Sequence, residues 1–358
     1  MERIIFWNNK GGTGKTSLAF QIICEYALQN LAKKILVIDV CPQSNLSELF
    51  LGGLNQGGSK VLLMRQGENP RATIGGYFQL RLPSPYSAPI FNAKDFLTKP
   101  NNYNSYIPEN VDLLCGDALL ELQSNAISTL ANNQIPGTNT WVSIINWLND
   151  FIKPLEELYD VVFLDSNPSF SMYTQIAIAT ATKVILPVMA DDSSRRAIQN
   201  AFSLIYGLKL PSEIYSKYAF AEKLKEVSMP LPQVYLILRN RLTQYMGPAS
   251  AYATVLDTIN DDIKSLLETN PEIFNFSEID SGIMNVRDFQ TTGVVSSARG
   301  CPFSLLNSGR LDILGRRVQV KEDYRQNCMD NIKNIVRKLN VADCQPKRPP
   351  VPYSAATP

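Results

Sequence analysis

A glycine-rich run near the start of the chain has the residue types and spacing of a phosphate-binding loop. Residues 8–17 read NNKGGTGKTS and stand between a short aliphatic stretch and a segment whose apolar residues have helical spacing. The glycines allow a tight turn that directs backbone N–H groups at phosphate oxygens, and the helix start adds a favourable dipole. In this interpretation Lys15 neutralises the β- and γ-phosphates, the Thr16 hydroxyl ligates Mg²⁺, and the Ser17 hydroxyl reaches the α-phosphate. The alternative is an ordinary glycine-rich turn from a strand into a helix.

Short β-branched and aliphatic runs predict the strands that must hold this loop. They cover residues 4–7, 35–40, 111–114, 161–165, 184–188 and 234–238. A helix is predicted over residues 17–29, so the first two strands, the loop and this helix form one βαβ unit. Repetition of such units predicts an α/β fold with a doubly wound, mostly parallel sheet and helices on both faces, as in P-loop NTPases.

The rest of the chain is predicted to complete a single domain over residues 1–341. Glycines and prolines interrupt it at about 51–110, which predicts an irregular insertion of loops with one short helix near residues 74–80. We favour surface decoration for this insertion over a lid or a partner-binding segment. Residues 342–358 contain five prolines and are predicted to form a flexible tail. A terminal helix that docks on the core is predicted from the spacing of Met329, Ile332, Ile335, Val336 and Leu339.

The composition excludes several kinds of chemistry. The chain has 358 residues and no histidine, so histidine-activated nucleophiles, histidine-ligated zinc and a histidine pH switch are ruled out. Its six cysteines are far apart, which favours neither a zinc site nor a disulfide framework and indicates a reducing, cytoplasmic setting. No apolar stretch approaches the length of a membrane-spanning helix, so no membrane partner is expected.

The charge is distributed unevenly along the chain. The net charge is +1, but residues 281–358 contain 12 Lys or Arg and 6 Asp or Glu. This excess indicates either an anionic partner near the C-terminal end or a solvated basic face.

The details of the phosphate loop resemble those of one family. Asn9 occupies the position of the first glycine in the general pattern, and Lys10 follows it. This K-G-G-T-G-K-T form resembles the deviant Walker A motif of the ParA/MinD family of partition and positioning ATPases. The resemblance implies that Lys10 reaches across an ATP sandwich dimer, where a second cation stabilises developing charge on the partner's nucleotide. The loop residues expected to bind ATP are Lys10, Gly11, Gly12, Thr13, Gly14, Lys15, Thr16 and Ser17.

Two further segments are similar to motifs of the same family. Residues 36–47, LVIDVCPQSNLS, look like its second motif, and Asp39 at the end of a strand can hold Mg²⁺ or its water. Residues 160–169, DVVFLDSNPS, resemble the Walker B segment and make Asp165 the candidate outer-sphere carboxylate for Mg²⁺. The predicted metal site therefore comprises Thr16, Asp39 and Asp165, and the predicted catalytic residues are Lys10, Lys15 and Asp39.

A weaker similarity concerns the base of the nucleotide. Asn240 and Arg241 resemble an N-R pair that contacts adenine in relatives. Arg287, after a possible last strand, would form the other wall of that pocket.

One departure from the family pattern lies in the second motif. The family has a second aspartate there that helps to position or activate the attacking water, and this chain has Cys41. A neutral thiol is a poor acceptor and has no fixed negative charge, so we predict slow hydrolysis with nucleotide-driven dimerisation retained. The alternative is that another acid substitutes, or that Cys41 is only a packing residue.

The motifs lead to two hypotheses of different classes. The first is an ATP- and Mg²⁺-dependent homodimer switch that acts in DNA partition through nonspecific DNA and a ParB-like activator, as the resemblance implies. The second is a nucleotide-gated regulatory or scaffold subunit that binds a protein effector, for example in a mobile-element or phage-defence system. A metabolic P-loop kinase or amidoligase is disfavoured because no site for an acceptor substrate can be identified.

Overall fold

A central sheet positions the phosphate loop in this computed structural model, which describes residues 1–189, 191–242 and 251–342. Eight strands in the described ranges form it in the order β3-β4-β2-β5-β1-β6-β7-β8, with β3 antiparallel to β4 and all other neighbours parallel. The strands are β1 Glu2–Phe6, β2 Ile35–Val40, β3 Leu97–Thr98, β4 Val111–Leu114, β5 Val161–Ser166, β6 Lys183–Met189, β7 Gln233–Leu242 and β8 Ile283–Arg287. The predicted α/β fold with a mostly parallel sheet is confirmed.

Helices cover both faces of the sheet, and this explains why its central strands are apolar throughout. Every residue of β2 and β5 is buried, as expected for parallel strands enclosed on two sides. Along β1 the side chains alternate between two cores: Ile5 joins the core on one face, and Ile4 and Phe6 join the other.

Fifteen helices lie within the described ranges. They are α1 Lys15–Gln29, α2 Asn45–Phe50, α3 Gly58–Gln66, α4 Ile74–Arg81, α5 Leu119–Asn132, α6 Thr140–Ile145, α7 Trp147–Ile152, α8 Met172–Thr180, α9 Asp192–Tyr206, α10 Glu213–Ser216, α11 Phe220–Glu226, α12 Ala251–Thr269, α13 Ile279–Gly282, α14 Gln290–Arg299 and α15 Glu322–Ala342. Short 3₁₀ turns cover Ala93–Phe96, Pro100–Asn102, Lys153–Leu155 and Pro271–Ile273. The terminal helix α15 packs against α1 and buries the predicted positions Ile332, Ile335, Val336 and Leu339. Its predicted docking on the core is confirmed.

The segment at about 51–110 is more regular and more buried than the sequence predicts. The short helix expected near residues 74–80 is present as α4, but α3, two 3₁₀ turns and β3 also form there. Tyr77 and Phe78 on α4 are fully buried. The prediction of surface loops is therefore wrong: this segment contributes part of the core.

Some of the glycines that were expected to interrupt residues 51–110 instead allow close packing there. A Cβ atom on Gly75 would lie 2.6 Å from the side chain of Asp117, which α4 therefore approaches closely. Asp117 is itself buried and accepts hydrogen bonds from Arg71 and Thr73. These contacts fasten the start of α4 to the end of β4.

A β-hairpin that the sequence analysis did not predict stands between α14 and α15. Its strands are β9 Gly309–Ile313 and β10 Arg316–Val320, paired antiparallel and packed on α14. The loop after α2 touches the same region, because Asn55 N–H donates to the Ala298 carbonyl at 2.8 Å and Asn55 Nδ2 donates to the Asp312 carbonyl at 3.0 Å.

Backbone meets backbone where these two regions join. A Cβ atom on Gly53 would lie only 2.7 Å from the nitrogen of Gly300. Both glycines have positive φ, of 59° and 56°, so both the space and the conformation favour glycine there.

The predicted proline-rich tail, residues 342–358, lies outside the described residues except for its first position, which ends α15. Within the described ranges, no helix combines the length and apolarity needed to cross a bilayer.

Candidate nucleotide site

The phosphate loop lies at the carboxyl end of β1, in the middle of the sheet. β1 has β5 on one side and β6 on the other, so the loop opens where the ends of three parallel strands meet. Gly12 and Gly14 adopt positive φ of 73° and 82°, which lets the chain turn directly into α1. The helix begins after Gly14, which has no side chain to cap it, so the first N–H groups of α1 point toward the loop.

Two asparagine side chains, one just after β1 and one from β7, hold the loop backbone in place. Asn8 Nδ2 donates to the Pro187 carbonyl at 2.7 Å, and Asn8 Oδ1 accepts from Lys10 N–H at 2.9 Å. On the other side Asn240 Nδ2 donates to the Thr13 carbonyl at 2.9 Å. Sequence reasoning gave Asn8 no role. Its position directly after an apolar strand was the available signal.

The hydroxyl of Thr16 and the carboxylate of Asp165 meet beside the loop. Thr16 Oγ1 donates to Asp165 Oδ2 at 2.8 Å. Lys15 is buried nearby, with its Nζ 3.4 Å from the Lys10 carbonyl, while Ser17 is half-buried in the first turn of α1. The structure therefore brings together Lys15, Thr16 and Asp165 at the uncapped end of α1.

Asp39 lies next to Asp165 because β2 and β5 pair with these two residues in register. Its carboxylate is held by three protein donors: Ser47 N–H at 2.9 Å, Ser47 Oγ at 2.7 Å and Cys41 N–H at 3.1 Å. Ser47 is a site residue that the sequence analysis quoted without assigning a role. Asp39 therefore accepts hydrogen bonds at both carboxylate oxygens, whereas Asp165 Oδ1 has no partner within the described residues.

Burial dominates the electrostatics of the two carboxylates. It raises the pKa of Asp39 to about 6, although the hydrogen bonds from Ser47 and Cys41 act in the opposite direction. Burial and the adjacent charge of Asp39 raise the pKa of Asp165 to about 7, against the effects of Thr16 and Lys15. Burial also lowers the pKa of Lys15, a shift that the charge of Asp165 opposes. These shifts show that burial disfavours the charged form of all three side chains.

Several buried oxygens at this site suit a hydrated magnesium ion. Among the described residues, Asp165 Oδ1, Thr13 Oγ1 and Ser166 Oγ are buried without a hydrogen-bond partner. Carboxylate and hydroxyl oxygens are the donors that Mg²⁺ prefers. The described residues contain no cluster of three or more His, Cys, Asp or Glu that could hold a metal alone. The donor set therefore fits an ion whose other ligands are phosphate oxygens and water.

Cys41 follows Asp39 at the edge of the site and is 8% exposed. Burial raises the pKa of its thiol to about 12, and the charges of Asp39 and Asp165 add to the rise. The side chain is therefore neutral at physiological pH, as the sequence analysis assumed.

Lys10 finds its partners within its own chain. Its Nζ lies 2.7 and 2.6 Å from the two carboxylate oxygens of Asp191 and 3.1 Å from Ser194 Oγ. Neither Asp191 nor Ser194 was singled out from the sequence.

The residues predicted to contact adenine lie at the ends of two neighbouring strands: Asn240 and Arg241 near the end of β7, and Arg287 at the end of β8, where it pairs with Leu242. Asn240 uses its carboxamide at both ends, since its Oδ1 accepts from Arg241 N–H at 2.9 Å while its Nδ2 binds the loop. Arg241 is exposed and has a φ of 60°. Arg287 ends β8, as expected of a last strand, and its guanidinium lies 5.1 Å from the centre of the Tyr324 ring.

The chain is similar in sequence to known proteins over somewhat more than half of its length, and in fold over nearly all of it. A family model described as an AAA domain matches residues 1–213. The chain belongs to this family. Among curated relatives, the virulence plasmid ParA family protein pGP5-D of Chlamydia muridarum is 28% identical over 217 residues, which are 60% of this chain and 65% of that protein. The chromosome-partitioning ATPase Soj of Thermus thermophilus is 27% identical over 191 residues, 53% of this chain and 56% of Soj. The match thus spans somewhat less than two thirds of these relatives.

A solved structure extends the likeness in fold to nearly the whole chain. The ATP complex of a McdA variant from Cyanothece superposes with a TM-score of 0.57 over 95% of this chain and 96% of McdA, at 16% identity. The family match and these relatives confirm the resemblance to ParA/MinD-type partition ATPases at the level of the family. The structural likeness confirms the P-loop NTPase fold.

Proposed function

We propose that this protein is an ATP- and Mg²⁺-dependent dimer switch of the ParA type. The observation that carries the proposal is the phosphate loop and its surroundings: α1 begins without a side-chain cap, Thr16 in its first turn binds Asp165, and Asp165 Oδ1 and Thr13 Oγ1 are buried without a partner within the described residues. Buried polar atoms without partners are uncommon in proteins, and a polar ligand at this position would supply the missing contacts. A nucleotide triphosphate with Mg²⁺ has the charge and oxygen atoms to do so.

In this proposal each residue of the cradle has a separate task. Lys15 and the α1 N–H groups bind phosphate oxygens, and Thr16 and Asp165 hold Mg²⁺, with Asp39 orienting its water. When bound, Mg²⁺ neutralises charge on the β- and γ-phosphates. Lys10 crosses to the nucleotide of a second copy, so the γ-phosphate stabilises a dimer.

Slow hydrolysis is part of the proposal. The Cys41 thiol is neutral and buried, so it supplies no carboxylate to orient the attacking water. ATP would therefore act mainly through binding, and the dimer would persist for longer than in a fast ATPase.

The dimer would act on nonspecific DNA together with a ParB-like activator. Exposed cations of the β9–β10 hairpin support the DNA contact: Arg310, Arg316, Arg317 and the adjacent Lys321 all face solvent. Phosphate contacts of this kind carry no base sequence information and weaken as salt concentration rises.

A second candidate is a nucleotide-gated scaffold that binds a protein effector. Ile214, Tyr215 and Tyr218 at α10 are 70%, 57% and 73% exposed, and such apolar surface is typical of protein contacts. Charge reversal on the hairpin separates the candidates: Arg316→Glu with Arg317→Glu should abolish ATP-dependent DNA retention if DNA is the ligand. Capture of a protein partner that survives this change and nuclease treatment would favour the scaffold.

The dimer switch is tested by the size of the protein in solution. Wild type should be a dimer with ATP and Mg²⁺ and a monomer with ADP. Lys10→Ala should still bind ATP but remain a monomer, whereas Lys60→Ala, at an exposed lysine of α3, should behave as wild type. A wild type that stays monomeric with ATP, or a Lys10→Ala variant that dimerises normally, would show the proposal to be wrong.

A further inference from the structure

The ammonium of Lys10 is fully engaged without any second chain. Three acceptor atoms surround its Nζ, namely both carboxylate oxygens of Asp191 and the Oγ of Ser194, at 2.6 to 3.1 Å. An ammonium has three protons to donate, so this set leaves none for another acceptor. The two charged side chains are 21% and 38% exposed, which places the pair at the rim of the site.

Asp191 is fixed in place by the fold rather than by the lysine. It is the N-cap of α9, and its Oδ1 accepts from Ser194 N–H at 2.7 Å and from Ser193 Oγ at 2.9 Å. Partial burial raises the pKa of this carboxyl, but the hydrogen bonds from Lys10, Ser193 and Ser194 outweigh it and lower the pKa to about 2. Asp191 is therefore a permanently charged acceptor at neutral pH.

Two acceptors would compete for one cation during dimerisation. In the proposed switch, Lys10 must bind a phosphate in a second copy, and it cannot keep its three contacts with Asp191 and Ser194 at the same time. We propose that Asp191 is a positioning residue that holds Lys10 in its own chain and thereby sets the ATP concentration at which the dimer forms. This inference rests on the proposed function, and it adds a residue outside the three motifs.

The expected size of the effect follows from linkage. A contact present only in the monomer biases the equilibrium against the dimer by its own free energy. Partly exposed ion pairs are modest, so removal of this one should lower the ATP concentration for half-maximal dimerisation by on the order of fivefold. Binding of ADP to the monomer should not change, because the phosphate cradle keeps all of its residues.

Asp191→Asn is the informative variant, because asparagine is also a good N-cap and removes only the charge. It should form the dimer at lower ATP than wild type, measured by light scattering across an ATP titration. Asp191→Glu keeps the charge and should remain near the wild-type midpoint. Asp262→Asn is the matched control: it removes another ion pair of α9, the one with Arg195, and should leave the midpoint unchanged.

The outcomes separate this inference from the function on which it rests. If wild type dimerises with ATP and Asp191→Asn has the same midpoint, Asp191 does not restrain Lys10 and only the inference is wrong. If wild type never dimerises, the dimer switch itself is wrong and the inference falls with it. A double-mutant cycle of Lys10→Ala and Asp191→Asn on the unfolding of the nucleotide-free protein should show coupling. Additive effects would mean that the ion pair does not form in solution.

Discussion

The nucleotide site and the aromatic cluster around α4 are both buried, yet their polar groups are treated differently. At the site, two adjacent carboxylates are desolvated and Asp165 Oδ1 has no partner within the described residues. In the cluster, the buried Arg81 donates to Asp150 at 2.6 Å and lies 5.3 Å from the centre of the Trp147 ring. Its neighbour Tyr77 Oη donates to the Trp147 carbonyl at 2.6 Å.

The difference shows what each region contributes. The cluster stabilises the fold because its rings are packed and Arg81 is paired with Asp150, even though Arg81 Nε has no hydrogen-bond partner within the described residues. At the site, the charged forms of Asp39 and Asp165 are disfavoured by burial, and a bound cation would relieve this. The nucleotide site therefore lowers the stability of the ligand-free protein, as is common for binding sites. Substitutions should therefore act with opposite signs in the two regions.

The largest effect is expected for Phe151→Ala in the cluster. Phe151 is fully buried, and its ring centroid is 4.9 Å from Tyr77 and 6.1 Å from both Phe91 and Phe96. Loss of this ring should reduce the free energy of unfolding by about 3–5 kcal/mol. Urea denaturation measures it, with Leu122→Ala at a residue 77% exposed as the control. If Phe151→Ala lost no more stability than Leu122→Ala, the aromatic cluster around α4 would not be part of the stabilising core.

Asp165→Asn should have the opposite sign. The folded-state pKa of about 7 lies above the ordinary 3.8, so the native state holds its proton more tightly and stability falls as pH rises through that window. The variant should gain about 2 kcal/mol in the free energy of unfolding at pH 8 without nucleotide, a smaller amount at pH 5, and little below about pH 4. It should also lose Mg²⁺-dependent ATP binding. The exposed Asp261→Asn serves as control, and equal stability of Asp165→Asn and wild type at pH 8 would refute the view of a destabilising site.

Cys41→Asp sharpens the comparison within the site. A carboxylate there should orient the attacking water and raise the turnover of ATP by about tenfold, or about 1.4 kcal/mol in the barrier. A third acid beside Asp39 and Asp165 should also lower the stability of the nucleotide-free protein. Cys41→Ser, which stays neutral, should do neither. If Cys41→Asp turned over ATP no faster than wild type, the absence of a carboxylate at position 41 would not explain slow hydrolysis.

The smallest effect is expected for Tyr77→Phe. The ring is kept, but the hydrogen bond to the Trp147 carbonyl and the contact with Arg81 at 3.2 Å are lost. The free energy of unfolding should fall by about 1 kcal/mol, with ATP binding unchanged. Tyr218→Phe, at a residue 73% exposed, should leave stability as it is, and a similar result for Tyr77→Phe would argue against a role for its hydroxyl.

The sequence was enough to predict those elements whose local pattern agrees with their tertiary environment. The strands β2 and β5 are continuous apolar runs because both of their faces are covered, and the phosphate loop has a spacing that few other structures need. Gly75 and Gly76 misled because glycine permits close packing as well as turns, and only the tertiary positions of Asp117 beside Gly75 and of Arg71 beside Gly76 distinguish these uses. The contact of Lys10 with Asp191 joins residues 181 positions apart, so no local pattern indicates it. The hairpin was missed because each of its strands is only five residues long. Only one face of each strand is packed, and exposed residues, several of them charged, lie on the other face.

The contact between Gly53 and Gly300 makes the nucleotide site and the hairpin parts of one linkage. Ser47, which grips Asp39, belongs to α2, and the loop after α2 presses directly on the end of α14 without a side chain between them. Two backbones in direct contact have no side-chain rotamer that can adjust, so the loop after α2 and the end of α14 fit together with little freedom. Asn55 holds the hairpin to the same loop through Asp312. A short path of direct contacts therefore connects the buried carboxylate of Asp39 with the hairpin that carries the exposed arginines.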